Sequence, residues 1–427
     1  MEGCYRGLKM ALAKISTSSI YTCRSCGAKL VHTFVDLGTA PPCQRHVTPQ
    51  NFDRAEATYP LHAFVCDACW LVQVPAYLRA DELFDQDYAY FSSFSTSWLA
   101  HCEKYVGMAI SRFKLGTASK VVELASNDGY LLQYFVKHGV PVLGIEPTAN
   151  TAAAAMEKGV RSHVAFFGVE TAKHVLNTEG SADLVLGNNV LAHVPDINDF
   201  VGGIKILLAA KGTCTIEFPH LEQLIQHNQF DTIYHEHYSY LSLTAVRTLF
   251  ARHGLVIFDV EELPTHGGSL RIFARHESDP RPIESAVEKI IAAENEFGLT
   301  SIARYQRFAE QVRETKRLLL DFLIAAKRDG KSIVGYGAPG KGNTLLNYCG
   351  IRSDFIDYTV DRSPHKQGNF LPGSRIPILA PERIFQTKPD YVLILPWNLR
   401  DEISTQMKAI REWGGKFVVP IPKVEVF

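Results

Sequence analysis

Glu123-Leu124-Ala125-Ser126-Asn127-Asp128-Gly129 sits where a short apolar run, Val121-Val122, gives way to a helical pattern at 129–138. Small residues at such a strand-to-helix turn let the backbone approach a bound group closely, and free N–H groups at the helix start favour negative charge. Outward from this turn, apolar runs at 121–124, 142–145, 164–167, 183–186 and 213–218 alternate with helical patterns that include 129–138, 151–158 and 169–176. This alternation predicts a parallel sheet with helices on both faces. Two further strands, 255–261 and 269–275, are joined by Pro264-Thr265-His266-Gly267-Gly268, so a hairpin closes the sheet.

Open sheets of this kind bind ligands at the carboxyl ends of their strands. Glu146 closes the second strand and suits ribose hydroxyls, although a surface acid before Pro147 would look the same. Phe167 ends the third. Asn188-Asn189-Val190-Leu191-Ala192-His193-Val194-Pro195 follows the fourth, where His193 either enters a pocket or caps a helix. After the fifth comes Tyr234-His235-Glu236-His237-Tyr238-Ser239-Tyr240-Leu241-Ser242, which crowds two imidazoles, a carboxylate and three phenols together. Core packing does not call for such a run, because each buried polar group needs a partner. Titratable groups of differing pKa held close together are suited to acid–base chemistry. A solvated polar loop and a His-x-His metal site are the competing readings.

Cys23-Arg24-Ser25-Cys26 and Cys66-Asp67-Ala68-Cys69 are two C-x-x-C turns, the first followed by Gly27. Four thiolates from two such turns close a tetrahedral site that suits structural Zn²⁺ and leaves no open position for catalysis. A redox pair would want a βαβ setting. The next segment, Phe84-Asp85-Gln86-Asp87-Tyr88-Ala89-Tyr90-Phe91-Ser92-Ser93, reads as either a packing loop or a lid carrying Tyr88.

Residues 283–328 read as long helices interrupted near Gly298. Beyond them, Gly335-Tyr336-Gly337-Ala338-Pro339-Gly340-Lys341 is a strand, a glycine-rich turn and a helix start. Asp361 closes a following strand and His365-Lys366-Gln367-Gly368 adds a basic turn. The pattern is Rossmann-like and leaves open NAD, a nucleotide-sugar pyrophosphate or a purely structural role.

The 427 residues suit about three domains, expected at 1–80, 81–280 and 281–427. Lys plus Arg number 44 against 45 acids, so no global charge draws the chain to nucleic acid or anionic membrane. No apolar run reaches the ~18 residues of a membrane span. The stretch 1–20 carries lysines inside its only apolar patch and reads as a loose leader rather than a secretory signal. Nine cysteines, five of them isolated, point to a reducing cytoplasm rather than a disulfide framework.

The parallel sheet closed by a hairpin resembles the class I S-adenosylmethionine-dependent methyltransferases, with Ala125 and Asn127 standing where that class often has glycine. Together with the C-x-x-C turns, the Y-H-E-H run 234–237, His266-Gly267-Gly268-Ser269-Leu270-Arg271 and the turns at 335–342 and 360–368, nearly the whole chain after Tyr21 resembles a narrower family. These are the sugar C-methyltransferases that act on nucleotide-linked 4-keto-6-deoxysugars, of which the dTDP-sugar C-3 enzymes of antibiotic pathways are the nearest kind. The resemblance implies an α/β protein with a small zinc-binding N-terminal domain, a central methyltransferase sheet, and a helical connector leading to a C-terminal Rossmann-like substrate domain. It implies S-adenosylmethionine on Glu123, Ala125, Ser126, Asn127, Asp128, Gly129, Glu146, Phe167, Asn188 and Asn189. His237 would be the general base, with Tyr234, Glu236, His193 and Tyr88 around it. The sugar nucleotide would meet His266, Gly267, Gly337, Gly340, Lys341 and Lys366. The 4-keto group acidifies both C-3 and C-5; the family favours C-3. Rival expectations are C-5 methylation, an NAD-dependent sugar oxidoreductase, a nucleic-acid methyltransferase gripping RNA through the zinc knot, and a zinc scaffold without catalysis.

Overall fold

The computed structural model describes residues 21–84 and 91–427; the leader and Tyr88 lie outside the described residues. An antiparallel meander opens the chain: β1 (His32–Ala40), β2 (Tyr59–Val65) and β3 (Val72–Gln73). The two C-x-x-C turns are tight hydrogen-bonded loops. Cys23 N donates to Ala28 O at 2.7 Å with Gly27 at φ 75°, and Trp70 N donates to Cys66 O at 2.9 Å.

From residue 121 the chain forms β4 (Val121–Leu124), β5 (Val142–Glu146), β6 (Ser162–Val164), β7 (Ala182–Asn188) and β8 (Leu208–Pro219). It then leaves this sheet, and β9 (Ser239–Tyr240) pairs antiparallel with β3, completing the N-terminal sheet from a distance. β10 (Leu255–Leu263) and β11 (Ser269–His276) return to the middle sheet. Its order is β10-β11-β8-β7-β4-β5-β6, all parallel except β11. This is the class I methyltransferase arrangement. The strand expected at 164–167 is displaced: the ladder with β5 ends at Glu146–Val164, and Phe166 turns out to solvent, 45% exposed.

The helices that cover the sheet owe their placement to patterned apolar residues. Ile197–Leu207 buries Ile197, Phe200, Val201, Ile204 and Leu207, an i, i+3, i+4, i+7 stripe, and Asp196 caps its start by accepting from Asp199 N at 3.0 Å. Each such side chain contributes roughly 1.5–3 kcal/mol by leaving water. Gly203 lets that helix touch the start of Val169–Glu179, since a Cβ there would lie 2.8 Å from Gly168 backbone.

Helix Ser285–Phe297 ends at Gly298, φ 97°, and the 27-residue helix Ile302–Arg328 follows. Against the long helix pack Phe34 of β1, stacked on Phe308 at 4.6 Å, and the C-terminal sheet. That sheet comprises β12 (Ile333–Tyr336), β13 (Thr359–Val360), β14 (Ile378–Leu379), β15 (Tyr391–Ile394), β16 (Lys416–Val419) and β17 (Glu425–Val426). Its order is β14-β13-β12-β15-β16-β17, parallel except β17. Among the described residues no helix is long and apolar enough to cross a membrane, and all eight cysteines are free.

Buried Glu294 ties the connector to the middle sheet. Its carboxylate accepts from Leu243 N at 2.6 Å and Thr244 N at 2.8 Å, the start of helix Leu243–Arg252, and stands 2.8 Å from His220 Nε2. Negative charge at a helix N-terminus is favourable, and removing one partner of a buried set is costly. Glu294→Ala is therefore expected to lower stability by about 3 kcal/mol, read as a lower urea midpoint; an unchanged midpoint would contradict the anchoring role.

Candidate active site

Cys23, Cys26, Cys66 and Cys69 bring four thiol sulfurs within 4.8 Å of one another, with Cys23–Cys69 and Cys26–Cys66 each at 3.5 Å. Tetrahedral zinc with Zn–S near 2.3 Å holds its sulfurs roughly 3.8 Å apart, so the donor set fits Zn²⁺ with no vacant position. Gln73 on β3 reaches into this cluster. Its Nε2 donates to Cys23 Sγ at 3.1 Å and its Oε1 accepts from Arg24 N at 2.9 Å. The Arg24 guanidinium continues to Val74 O and, at 3.0 Å, to Pro195 O. The zinc knot is thereby joined both to the β3 edge and to the loop that carries His193.

That edge holds the polar run. Val74 N donates to Tyr238 O at 3.0 Å, and Tyr238 N donates to Ala192 O at 2.8 Å. The run lies between the zinc module and the carboxyl end of β7. His237 Nδ1 is 2.8 Å from Thr232 O. A carbonyl only accepts, so Nδ1 carries the hydrogen and Nε2 keeps its lone pair, toward which Tyr234 OH donates at 2.9 Å. Burial pushes His237 well below the ordinary imidazole range, and neighbouring His193, His266 and Lys341 push further. His193 meets His237 edge to face at 4.6 Å and is itself depressed to about 4 by burial. Glu236 turns toward the zinc module, where its Oε1 accepts from Cys43 Sγ at 3.4 Å. His235 lies against Pro60 O at 3.2 Å.

At the end of β4 the backbone takes left-handed turns at Ala125 (φ 56°), Asn127 (φ 48°) and Gly129 (φ 73°). Non-glycine residues pay about 1–2 kcal/mol in that region, so this loop keeps a glycine-type shape without two of the glycines. Glu146 stabilises it: Oε2 accepts from Asn127 N at 2.8 Å and Oε1 from Thr148 N at 2.9 Å. Asp128 is paired with Lys158 at 2.9 Å. Buried polar atoms of Ser126, Asn188 and Asn189 have no partner along this edge. Burial raises Glu123 well above the usual carboxylate range. These orphaned donors and acceptors fit a polar cofactor such as S-adenosylmethionine. Phe167 meets Phe200 edge to face at 5.3 Å and packs on the helix Ile197–Leu207.

The C-terminal sheet closes the other side. A Cβ at Gly340 would meet Cys43 Sγ at 2.9 Å and Tyr234 Cζ at 3.6 Å, while one at Gly337 would meet Pro396 Cδ at 2.6 Å. Gly337 is where a dinucleotide pyrophosphate would approach the backbone, but the close neighbour that a side chain there would meet is Pro396. Asp361, which would hold a ribose, instead accepts from Ala338 N at 2.8 Å, and Lys366 Nζ donates to Ala338 O at 2.9 Å. The NAD reading of this turn is therefore not supported. Lys341 Nζ donates to Asn398 Oδ1 at 2.8 Å and sits 4.4 Å from the Trp397 ring. Trp397 Nε1 donates to Asp231 Oδ2 at 2.8 Å, and burial pushes Asp231 up to about 7. A Cβ at Gly267 would lie 2.8 Å from the Trp397 ring, and His266 meets Trp98 edge to face at 5.0 Å. Sequence reading missed Gln73, Lys158, Asp231 and Cys43, which carry no motif of their own.

Since Gln73 couples the metal thiolates to β3, stripping zinc from the protein should speed amide exchange at Val74 while β12–β16 stay protected. Equal protection with and without zinc would disprove the coupling.

Three family models match the chain: "Putative zinc binding domain" over residues 23–84, "Methyltransferase domain" over 99–260 and "C-methyltransferase C-terminal domain" over 264–422. The C-methyltransferase NovU of Streptomyces niveus is 37% identical over 404 residues, covering 95% of this chain and 96% of that protein. A ubiquinone biosynthesis O-methyltransferase of Rhodopseudomonas palustris strain HaA2 is 27% identical over 27% of this chain and 46% of its own length. Among solved structures, the PH0226 protein of Pyrococcus horikoshii aligns with TM-score 0.36 and 15% identity, covering 44% of this chain and 95% of that one. With full-length similarity to NovU and successive matches to all three domain models, the chain belongs to the S-adenosylmethionine-dependent C-methyltransferases.

Proposed function

We propose that the protein methylates C-3 of a nucleotide-linked 4-keto-6-deoxysugar, in the first instance a dTDP sugar, through an enolate made by His237. The observation that carries this reading is the chain Thr232 O, His237, Tyr234 OH, which holds a neutral imidazole with its basic Nε2 toward a phenol. A carbon bound only to C, H and O becomes nucleophilic only after a proton leaves, and a neighbouring keto group makes that loss feasible. His237 Nε2 takes the C-3 proton as the C–H electrons move into the enolate. Tyr234, released from Nε2, donates to the enolate oxygen, and Lys341 and His266 add positive or polar character near that charge. S-adenosylmethionine supplies a sulfonium methyl group, which the enolate carbon takes as the S–CH₃ bond breaks.

Glu146 Oε2 accepts from Asn127 N and keeps a second lone pair for a ribose hydroxyl. Glu123, Ser126, Asn188 and Asn189 would take the remaining polar groups of the methyl donor, whose adenine would lie toward Phe167. The sugar nucleotide would lie between His266-Gly267 and the Gly337–Lys341 turn, with Lys366 bracing the turn. Glu236 and His193 hold the walls of the base pocket.

Incubation with dTDP-4-keto-6-deoxyglucose in D₂O tests the reading by mass spectrometry and NMR. Expected are one added methyl with the donor, located on C-3, and enzyme-dependent deuterium uptake without it. A methyl on C-5 would move the site of attack, and the absence of both signals would overturn the sugar reading. His237→Asn should lower turnover at least about 100-fold while the donor still binds; near-normal turnover would remove His237 as the base. Because the folded His237 stays neutral below its ordinary range, the acid limb of kcat/KM should fall below about pH 6.5. A limb above that value would mean another group is titrating.

A further inference from the structure

Glu217, near the end of β8, is a fully buried carboxylate outside the roles assigned so far. Its Oε2 pairs with Arg271 Nη2 at 2.6 Å and lies 2.9 Å from His101 Nε2. Burial alone would raise its pKa, but the His101 hydrogen bond and the Arg271 charge outweigh that and hold it below the usual carboxylate range. Arg271 is in turn paired with Glu261 at 3.0 Å and lies over the Tyr105 ring at 4.5 Å. A buried ion pair of this kind is a weak source of stability compared with apolar packing, so its presence calls for another explanation.

Two further bonds supply one. Glu217 Oε1 accepts from Thr265 Oγ1 at 2.9 Å, and the Glu217 backbone carbonyl accepts from Asn189 N at 2.7 Å. Asn189 has φ 55° and His266, next to Thr265, has φ 56°. Non-glycine residues stay in that region only when their surroundings hold them there. One carboxylate-bearing residue therefore grips two strained turns, one on the donor loop and one on the sugar side. His101 extends the grip: its ring stacks on Trp98 at 5.1 Å, and Trp98 meets His266 edge to face.

We propose that Glu217, braced by Arg271 and His101, is a positioning residue that fixes His266 against the reacting sugar through the Thr265 hydroxyl. This rests on the sugar reading above insofar as His266 touches the substrate. The turn itself has other supports, Gln229 Nε2 to Gly267 O at 2.7 Å and Ser269 Oγ to Thr265 O at 2.9 Å, so the Thr265 bond orients rather than folds it.

The test is Thr265→Val, which keeps the shape and deletes the hydroxyl, beside Thr265→Ser, which restores it. In the full-length enzyme Thr265→Val should lose about tenfold or more in kcat/KM, since small misplacements are expensive, with S-adenosylmethionine affinity and urea midpoint close to wild type. Thr265→Ser should recover most of the loss. Wild-type kinetics in Thr265→Val, or equal impairment in Thr265→Ser, would overturn the proposal. In histidine-labelled protein without substrate, the His266 Cε1–H resonance, assigned with His266→Gln, should move in Thr265→Val and return in Thr265→Ser. An unmoved resonance would overturn the proposal whatever the substrate is, whereas wild-type enzyme inactive on the keto sugar would count against the functional reading alone.

Discussion

A two-residue ladder, Val72–Gln73 against Ser239–Tyr240, is the contact on which the rest of the site depends. It is too short to be stable alone. What fixes it lies at its two ends: the thiol cluster gripping Gln73, and Glu294 holding the helix that begins three residues after Tyr240. A slip of one residue would turn every side chain on the strand to the other face. The ladder thus decides whether His237 faces the donor edge. Tyr240 reinforces the outcome by donating from its hydroxyl to His237 O at 3.2 Å.

Around that ladder the electrostatics run in one direction. His193, His237 and His266 all stand where desolvation disfavours protonation, and Lys341 beside them is depressed for the same reason. Asp231 and Glu123 are pushed the opposite way. A low-dielectric pocket lined by groups reluctant to carry charge keeps its imidazoles neutral, and it makes any charge that forms inside it strongly felt by its neighbours.

The cysteine turns, the seven-stranded sheet and the crowded run 234–242 were legible because each has a pattern of its own: fixed ligand spacing, alternating periodicity, and polar density where a core would be apolar. The Val72–Gln73 strand and its partner were not, since two-residue strands have no periodicity and pair across most of the middle domain. Gln73 and Lys158 are invisible for a related reason; each matters only because folding brings it to Cys23 or Asp128. The stretch 164–167 misled because Ala165-Phe166-Phe167 is apolar enough for a strand but follows the end of the ladder. The glycines at 335–340 gave one signal for two causes. Close approach of a cofactor and close approach of Cys43 and Pro396 both forbid a side chain.

The borrowed strand also orders events in time. As the chain is synthesised, β1 to β3 can form as soon as they emerge, leaving β3 with an unpaired edge beside the two metal turns. Its natural partner appears only after residue 240, when most of the methyltransferase sheet is already out. Through that interval the open edge of β3 is available for pairing with other chains. Early metal capture would then serve folding as much as the finished enzyme, by holding the edge in register until its partner arrives.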